Sequence, residues 1–145
     1  MTPALKQEAE QVFGIPLDNG YGLTECAPTI AQTRLGDHRS DCAVGQPIPG
    51  VDVRVVGAGG IDVNRGEVGE LWVRTPGLMK GYYRSPELTA QVIDADGWFN
   101  TGDMVRQEPD GALTIVGRTK ELIIRSGLNV YPVEVEQAIN AHPEV

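Results

Sequence analysis

GWFNTGDMVRQEPDGALTIVGRTKE, residues 97–121, carries the sequence signal that decides the fold. Pro109-Asp110-Gly111 is a turn: Pro presets φ, Asp can bond its own backbone, and Gly accepts a positive φ. After it, Leu113 and Ile115 flank Thr114, the period-two spacing of a half-buried strand. The same grammar recurs upstream. Val51, Val53 and Val55 alternate with Asp52 and Arg54, Gly57 to Gly60 form a second turn, and Leu71 and Val73 alternate with Glu70, Trp72 and Arg74. Residues 44–118 therefore predict a small, mostly antiparallel barrel or sandwich. Within it, GWFNTGD at 97–103 reads two ways. It is a turn between strands with Asp103 capping its own backbone, or a carboxylate placed to accept ribose hydroxyls.

Three helices are expected around this β-rich stretch. Thr2 caps the first, Pro3 starts it and Gly14 ends it, with Leu5, Ala9, Val12 and Phe13 on one stripe. Ser85 caps the second, Pro86 starts it, and Leu88 and Val92 form its stripe. Residues 122–124 predict a short strand, Gly127 opens a loop, and Pro132 starts a helix with Val135, Ala138, Ile139 and His142 inward. Neither outer helix has an evident partner, which implies a chain beginning and ending inside larger domains.

The chain has 145 residues with 41% hydrophobic content, the range of a globular domain. Its formal charge is −8, with 12 scattered Lys and Arg residues, a poor match to a nucleic-acid partner. Cys26 and Cys42 lack metal spacing and read as small hydrophobes of a reducing compartment. No apolar run approaches the roughly 18 residues of a membrane span, and no signal-peptide core is visible. A cytoplasmic protein is expected.

Two further stretches carry chemistry. In YGLTE, residues 21–25, Tyr21 offers a ring to a base and Gly22 lets backbone approach a ligand. The Thr24 hydroxyl can donate to a phosphate oxygen, and Glu25 is a hard oxygen ligand of the kind Mg²⁺ shares with phosphates. In GRTKELIIRSGLNVYPVEVE, residues 117–136, Arg118 is a fork of donors toward ribose or phosphate, and Gly127 marks a close passage of backbone. Each stretch alone is an ordinary loop or strand end.

Their order and spacing, with GELWVRTPGLMKGYY at 69–83 between them, resemble the adenylate-forming superfamily of acyl- and aryl-CoA synthetases, luciferases and amino-acid-activating domains. The resemblance runs from about Asp18 to His142 and is most like a fatty-acyl-CoA ligase. It implies a mixed α/β fragment. Residues 1–118 would end a large N-terminal domain, with the β-rich subdomain at about 44–118, and residues 119–145 would begin a small α+β C-terminal domain.

It also implies roles. Asn19, Gly20 and Tyr21, with Gly22, would line an adenine pocket. Thr24 would hold the α-phosphate of ATP and Glu25 would bind Mg²⁺. Asp103 would bind the ribose, Ile115 and Arg118 would support the nucleoside, and Lys120 would be an interdomain hinge. Gly127 to Asn129 would face coenzyme A. The implied reaction activates a carboxylic acid as acyl-AMP and passes it to the coenzyme A thiol. A carrier-protein thiol, a luciferase-like reaction or a non-enzymatic nucleotide-binding scaffold are the alternatives, and Lys120 with NVYPVEVE favours the acyl-CoA ligase over them.

Two positions depart from the family pattern: Ser126 where many relatives have Gly, and Thr75 where Gly is common. The family's Gly/Ser/Thr-rich phosphate loop and adenylation lysine are absent from these residues, since Lys6, Lys80 and Lys120 lack the required context. The resemblance therefore implies that the 145 residues alone make no acyl-AMP.

Overall fold

The computed structural model describes residues 2–126 and 128–142. The expected hairpin forms the middle of the molecule. Strands β4 (Asp52–Val56), β5 (Val68–Arg74), β6 (Phe99–Gln107) and β7 (Leu113–Arg118) make one antiparallel sheet in chain order. The turn between β6 and β7 closes as its sequence requires. Gly111 has φ 90°, the Ala112 amide donates to Asp110 Oδ1, and the Glu108 amide donates to the Ala112 carbonyl.

The alternating residues supply the core. Leu71, Val73, Val105 and Leu113 are fully buried and pack with Val55 and Phe99. A second sheet runs β1 (Gly20–Gly22), β2 (Thr29–Gln32), β3 (Gln46–Pro47), and Ile30 and Ala31 of β2 join the same core. Strands this short carry no alternation, so the sequence reads residues 15–25 only as an extended run. A third pair, β8 (Ile123–Arg125) with β9 (Leu128–Val130), is antiparallel and exposed on nearly every residue. The expected α/β mixture and antiparallel pairing are present, and among the described residues the sheets stay open rather than closing into a barrel.

The helices fall where expected, at α1 (Pro3–Phe13), α2 (Pro86–Val92) and α3 (Pro132–Asn140). Thr2 accepts from the Leu5 amide, and Gly14 ends α1 at φ 68°. Their burial differs from expectation. Leu5, Val12 and Phe13 are exposed, and Lys6 is the buried residue of α1. Its ammonium donates to the carbonyls of Arg39 at 2.6 Å and Asp41 at 3.1 Å and lies 3.8 Å from Glu10. A buried cation needs such partners, so the loop at 37–43 sets which face of α1 packs.

On α3, Val135, Ala138 and Ile139 are exposed, as is His142, which lies beyond its end. Ser85 sits at the N-cap of α2, but its side chain makes no capping bond. Instead the Thr89 hydroxyl donates back to the Ser85 carbonyl. Leu88 is exposed, while Val92 packs on the core.

Candidate nucleotide site

GWFNTGD is a turn only at its start, where Gly97, at φ 78°, donates its amide to the Asp94 carbonyl, and from Phe99 onward it is strand β6. Asp103 lies inside β6, directly opposite Arg118 of β7, and only 3% of its surface is exposed. Its carboxylate accepts from the Tyr21 hydroxyl at 2.5 Å on Oδ2 and pairs with Arg118 Nε at 3.1 Å on Oδ1. Within β6 the backbone irregularity falls on Gly102, at φ 70°, whose amide donates to Asn100 Oδ1. The Asp103 amide donates to Thr101 Oγ1 at 3.1 Å, and that hydroxyl donates to the Leu71 carbonyl, tying the segment to β5. Burial and then the bond to Asp103 drive the Tyr21 hydroxyl pKa far up, so this hydroxyl is a neutral donor.

The YGLTE stretch is held by its own chain. A Cβ on Gly22 would stand 2.1 Å from the Pro28 carbonyl oxygen, so passage of β1 against residues 28–29 already demands glycine there. The Asn19 side chain donates to the Ala43 carbonyl at 3.2 Å. Gly20 pairs with Gln32, where a Cβ would meet ordinary contacts. Thr24, Glu25 and Cys26 form a single 3-10 turn closed by Ala27 at φ 59°. Thr24 is exposed, Glu25 is half-buried, and Cys26 lies in the core. Burial, reinforced by Glu25, pushes the Cys26 thiol up to about 11 and keeps it neutral.

An open cleft of about 370 Å³ gathers part of the expected set. Glu25, Arg118 and Lys120 line it with Tyr82, Thr101 and Gly102. Tyr21 and Asp103 connect to it through Arg118, itself largely exposed. Ile115 lies opposite Val105 and packs on the core rather than on the cleft. Asn129 is exposed on β9, away from the cleft lining, and Gly127 lies outside the described residues. Lys120 sits in a 3-10 turn, Thr119–Glu121, between β7 and β8. A larger hollow of about 590 Å³ between residues 78 and 93 holds none of the expected residues.

The sequence reading missed two tyrosine contacts. Tyr21 reads as a ring for a base, yet its hydroxyl is committed to Asp103. Tyr82, quoted within GELWVRTPGLMKGYY without a role, donates to Glu25 Oε1 at 3.0 Å. Sequence distance hides both pairs, because packing of one sheet against the other brings residues 21 and 103 together and docking of a loop brings 25 and 82 together. Ser126, where many relatives have Gly, takes φ 52°, the left-handed conformation that glycine adopts without strain.

The family model for AMP-binding enzymes matches residues 1–83. The chain belongs to the AMP-binding enzyme family. This family segment is 42% identical over 142 residues to a long-chain-fatty-acid–CoA ligase of Yersinia pestis, covering 98% of the chain and 25% of that protein. It is 40% identical over 133 residues to an indoleacetate–CoA ligase of Aromatoleum aromaticum, covering 91% of the chain and 26% of that protein. The structure of ATP-bound MatB from Rhodopseudomonas palustris superposes with a TM-score of 0.91 at 36% identity, over 98% of this chain and 28% of that one. The amide bond synthetase McbA from Marinactinospora thermotolerans superposes at 0.89 with 40% identity, over 99% and 30%. The chain thus spans about a quarter of the length of the curated relatives it matches. Among the described residues no helix is long and apolar enough to cross a membrane.

Proposed function

We propose that these residues are the ATP-site segment of a cytoplasmic acyl-CoA ligase acting on a fatty acid. The carboxylate oxygen of the acid attacks the α-phosphorus of ATP, forming acyl-AMP and releasing pyrophosphate. The coenzyme A sulfur then attacks the acyl carbon, loses its proton and displaces AMP. In such transfers the protein mainly positions groups and balances charge.

The observation that carries this reading is the convergence of Tyr21, Asp103 and Arg118 from three strands on one buried carboxylate, beside a cleft that Glu25 and Lys120 also line. Each Asp103 oxygen uses one acceptor site for protein donors and keeps another for a ribose hydroxyl. Arg118 adds further donors at the cleft face. Asn19, Gly20 and Tyr21 border the adenine, Gly22 shapes that strand, and Ile115 backs the nucleoside from the core side. Thr24, exposed at the head of its turn, donates to the α-phosphate.

Glu25 suits a cation that phosphates share. Among the described residues no three His, Cys, Asp or Glu groups gather to cage a metal, and a nucleotide-bound Mg²⁺ typically takes only one or two protein carboxylates. Bound there, Mg²⁺ would neutralise charge on the phosphates.

Residues 1–118 end the large domain and 119–145 begin the small one, with Lys120 as hinge and Gly127 to Asn129 on the coenzyme A side. Proline fixes φ and restricts the residue before it. Lys120→Pro in the full-length ligase is therefore expected to spare one half-reaction and block the other. Pyrophosphate release and thioester formation from pre-made acyl-AMP, assayed separately, check this. Equal loss in both with a lowered melting temperature removes the hinge.

The likeness to an amide bond synthetase makes the acceptor the point to test. The full-length ligase is incubated with ATP, Mg²⁺, a panel of carboxylic acids and either coenzyme A or a primary amine. Fatty-acyl thioester in the mass spectrum is the expected product. Amide without thioester replaces the acceptor, and absence of carboxylate-dependent pyrophosphate release for every acid overturns the adenylation reading.

A further inference from the structure

We propose that Tyr82 is a positioning residue that fixes the rotation of the Glu25 carboxylate and so presents its second oxygen to a divalent cation shared with nucleotide phosphates. The inference rests on the reading of Glu25 as a cation ligand and adds the element that orients it.

The geometry is built from both sides. Glu25 stands on a single 3-10 turn, and its backbone carbonyl accepts from the Met79 amide at 2.7 Å, which docks residues 78–82 against it. The Tyr82 hydroxyl then donates to Glu25 Oε1 at 3.0 Å. Tyr82 is itself held at the backbone. Its amide donates to Thr89 Oγ1 at 2.9 Å, and that hydroxyl donates to the Ser85 carbonyl at 3.0 Å. Gly81, at φ 145°, leaves room for this, since a Cβ there would stand 2.9 Å from Thr89 Oγ1. Thr89 and Tyr82 thus form a chain of contacts from α2 to one carboxylate oxygen, while Met79 holds the Glu25 backbone. Both Glu25 and Tyr82 line the cleft that Arg118 and Lys120 share. The Tyr82 hydroxyl holds the carboxylate in one rotation and takes one acceptor site of Oε1, which makes Oε2 the oxygen with more capacity left for a cation. Partners that orient a ligand in this way typically change metal affinity about 10- to 100-fold when removed.

The test uses the full-length ligase with Mn²⁺ as a spectroscopic stand-in for Mg²⁺ and a non-hydrolysable ATP analogue. Electron paramagnetic resonance titration reads the cation affinity, and a second titration in EDTA reads the metal-free nucleotide affinity. Tyr82→Phe, which keeps the ring, is expected to weaken Mn²⁺ binding about 10-fold while changing the metal-free affinity less than about twofold. Thr89→Val is expected to act in the same direction and more weakly. Glu25→Gln is the control, and combining it with Tyr82→Phe is expected to add no further loss. Unchanged Mn²⁺ affinity in Tyr82→Phe with a large loss in Glu25→Gln overturns the role of Tyr82 alone. Unchanged affinity in Glu25→Gln removes the cation-ligand reading and this inference with it. Equal weakening with and without metal in Tyr82→Phe also overturns it.

Discussion

Two carboxylates, each holding a tyrosine hydroxyl, serve the candidate site from different settings. Asp103 sits inside a strand, buried, with Tyr21 and Arg118 on separate oxygens. Glu25 sits on one 3-10 turn, half-buried, with Tyr82 on one oxygen. The first is fixed by sheet register and the second by loop contacts. A strand ladder tolerates little displacement, so Asp103 suits a group that anchors a ligand in one place. A carboxylate on a short turn, lining an open cleft and oriented by one hydroxyl, suits the balancing of charge rather than the anchoring of a ligand.

Replacing each carboxylate in the protein is the strongest way to break this comparison. Asp103→Ala is expected to lower stability by about 2–3 kcal/mol, because the buried Tyr21 hydroxyl loses its acceptor and Arg118 its partner. Glu25→Ala is expected to change stability by about 0.5 kcal/mol or less, as at other sites outside the core. Denaturant titrations of the two variants check the contrast, and equal losses would erase the distinction.

The tyrosines sharpen it at smaller amplitude. Tyr21→Phe leaves a buried carboxylate short of one donor and is expected to cost about 1–2 kcal/mol. Tyr82→Phe frees a carboxylate that borders an open cleft and is expected to cost about half of that or less, since solvent can replace the donor. Thermal melts of both in one buffer order them.

Much of this was legible in the sequence. The turn at Pro109 to Gly111 and the valine and leucine alternation define β4, β5 and β7, because their burial partners lie in the same sheet. The Pro and Gly signals likewise bound α1 and α3. What the helices bury was not legible. The apolar stripes of α1 and α3 face outward among the described residues, and α1 is seated instead by Lys6 on two loop carbonyls. No periodicity encodes an ammonium finding carbonyls 33 and 35 residues away.

The site shows the same division. Residue chemistry marked Asp103, Glu25 and Arg118, while the pairing of Tyr21 with Asp103 depends on packing between two sheets and that of Tyr82 with Glu25 on loop docking. The glycine at 22 illustrates the hazard of reading function from residue type, since the Pro28 carbonyl already accounts for it.

The central claim is that nucleotide is anchored at the Asp103 end and its phosphates are handled at the Glu25 end. Two isosteric variants, Asp103→Asn and Glu25→Gln, made in the protein for which ligase activity is proposed, test it through one paired measurement. Nucleotide Kd is taken in EDTA, and the rate of pyrophosphate release is taken at saturating ATP, Mg²⁺ and carboxylic acid. Asp103→Asn is expected to raise the Kd by about 10-fold or more, the loss of roughly 1.5–3 kcal/mol in hydrogen bonds to a charged acceptor. Its saturating rate is expected to fall by less than about threefold. Glu25→Gln is expected to do the reverse, holding the metal-free Kd and lowering the saturating rate by about 10²-fold, as when a transition-state charge contact is removed. Both variants changing the same quantity by the same factor, or Asp103→Asn leaving the Kd intact, would contradict the account.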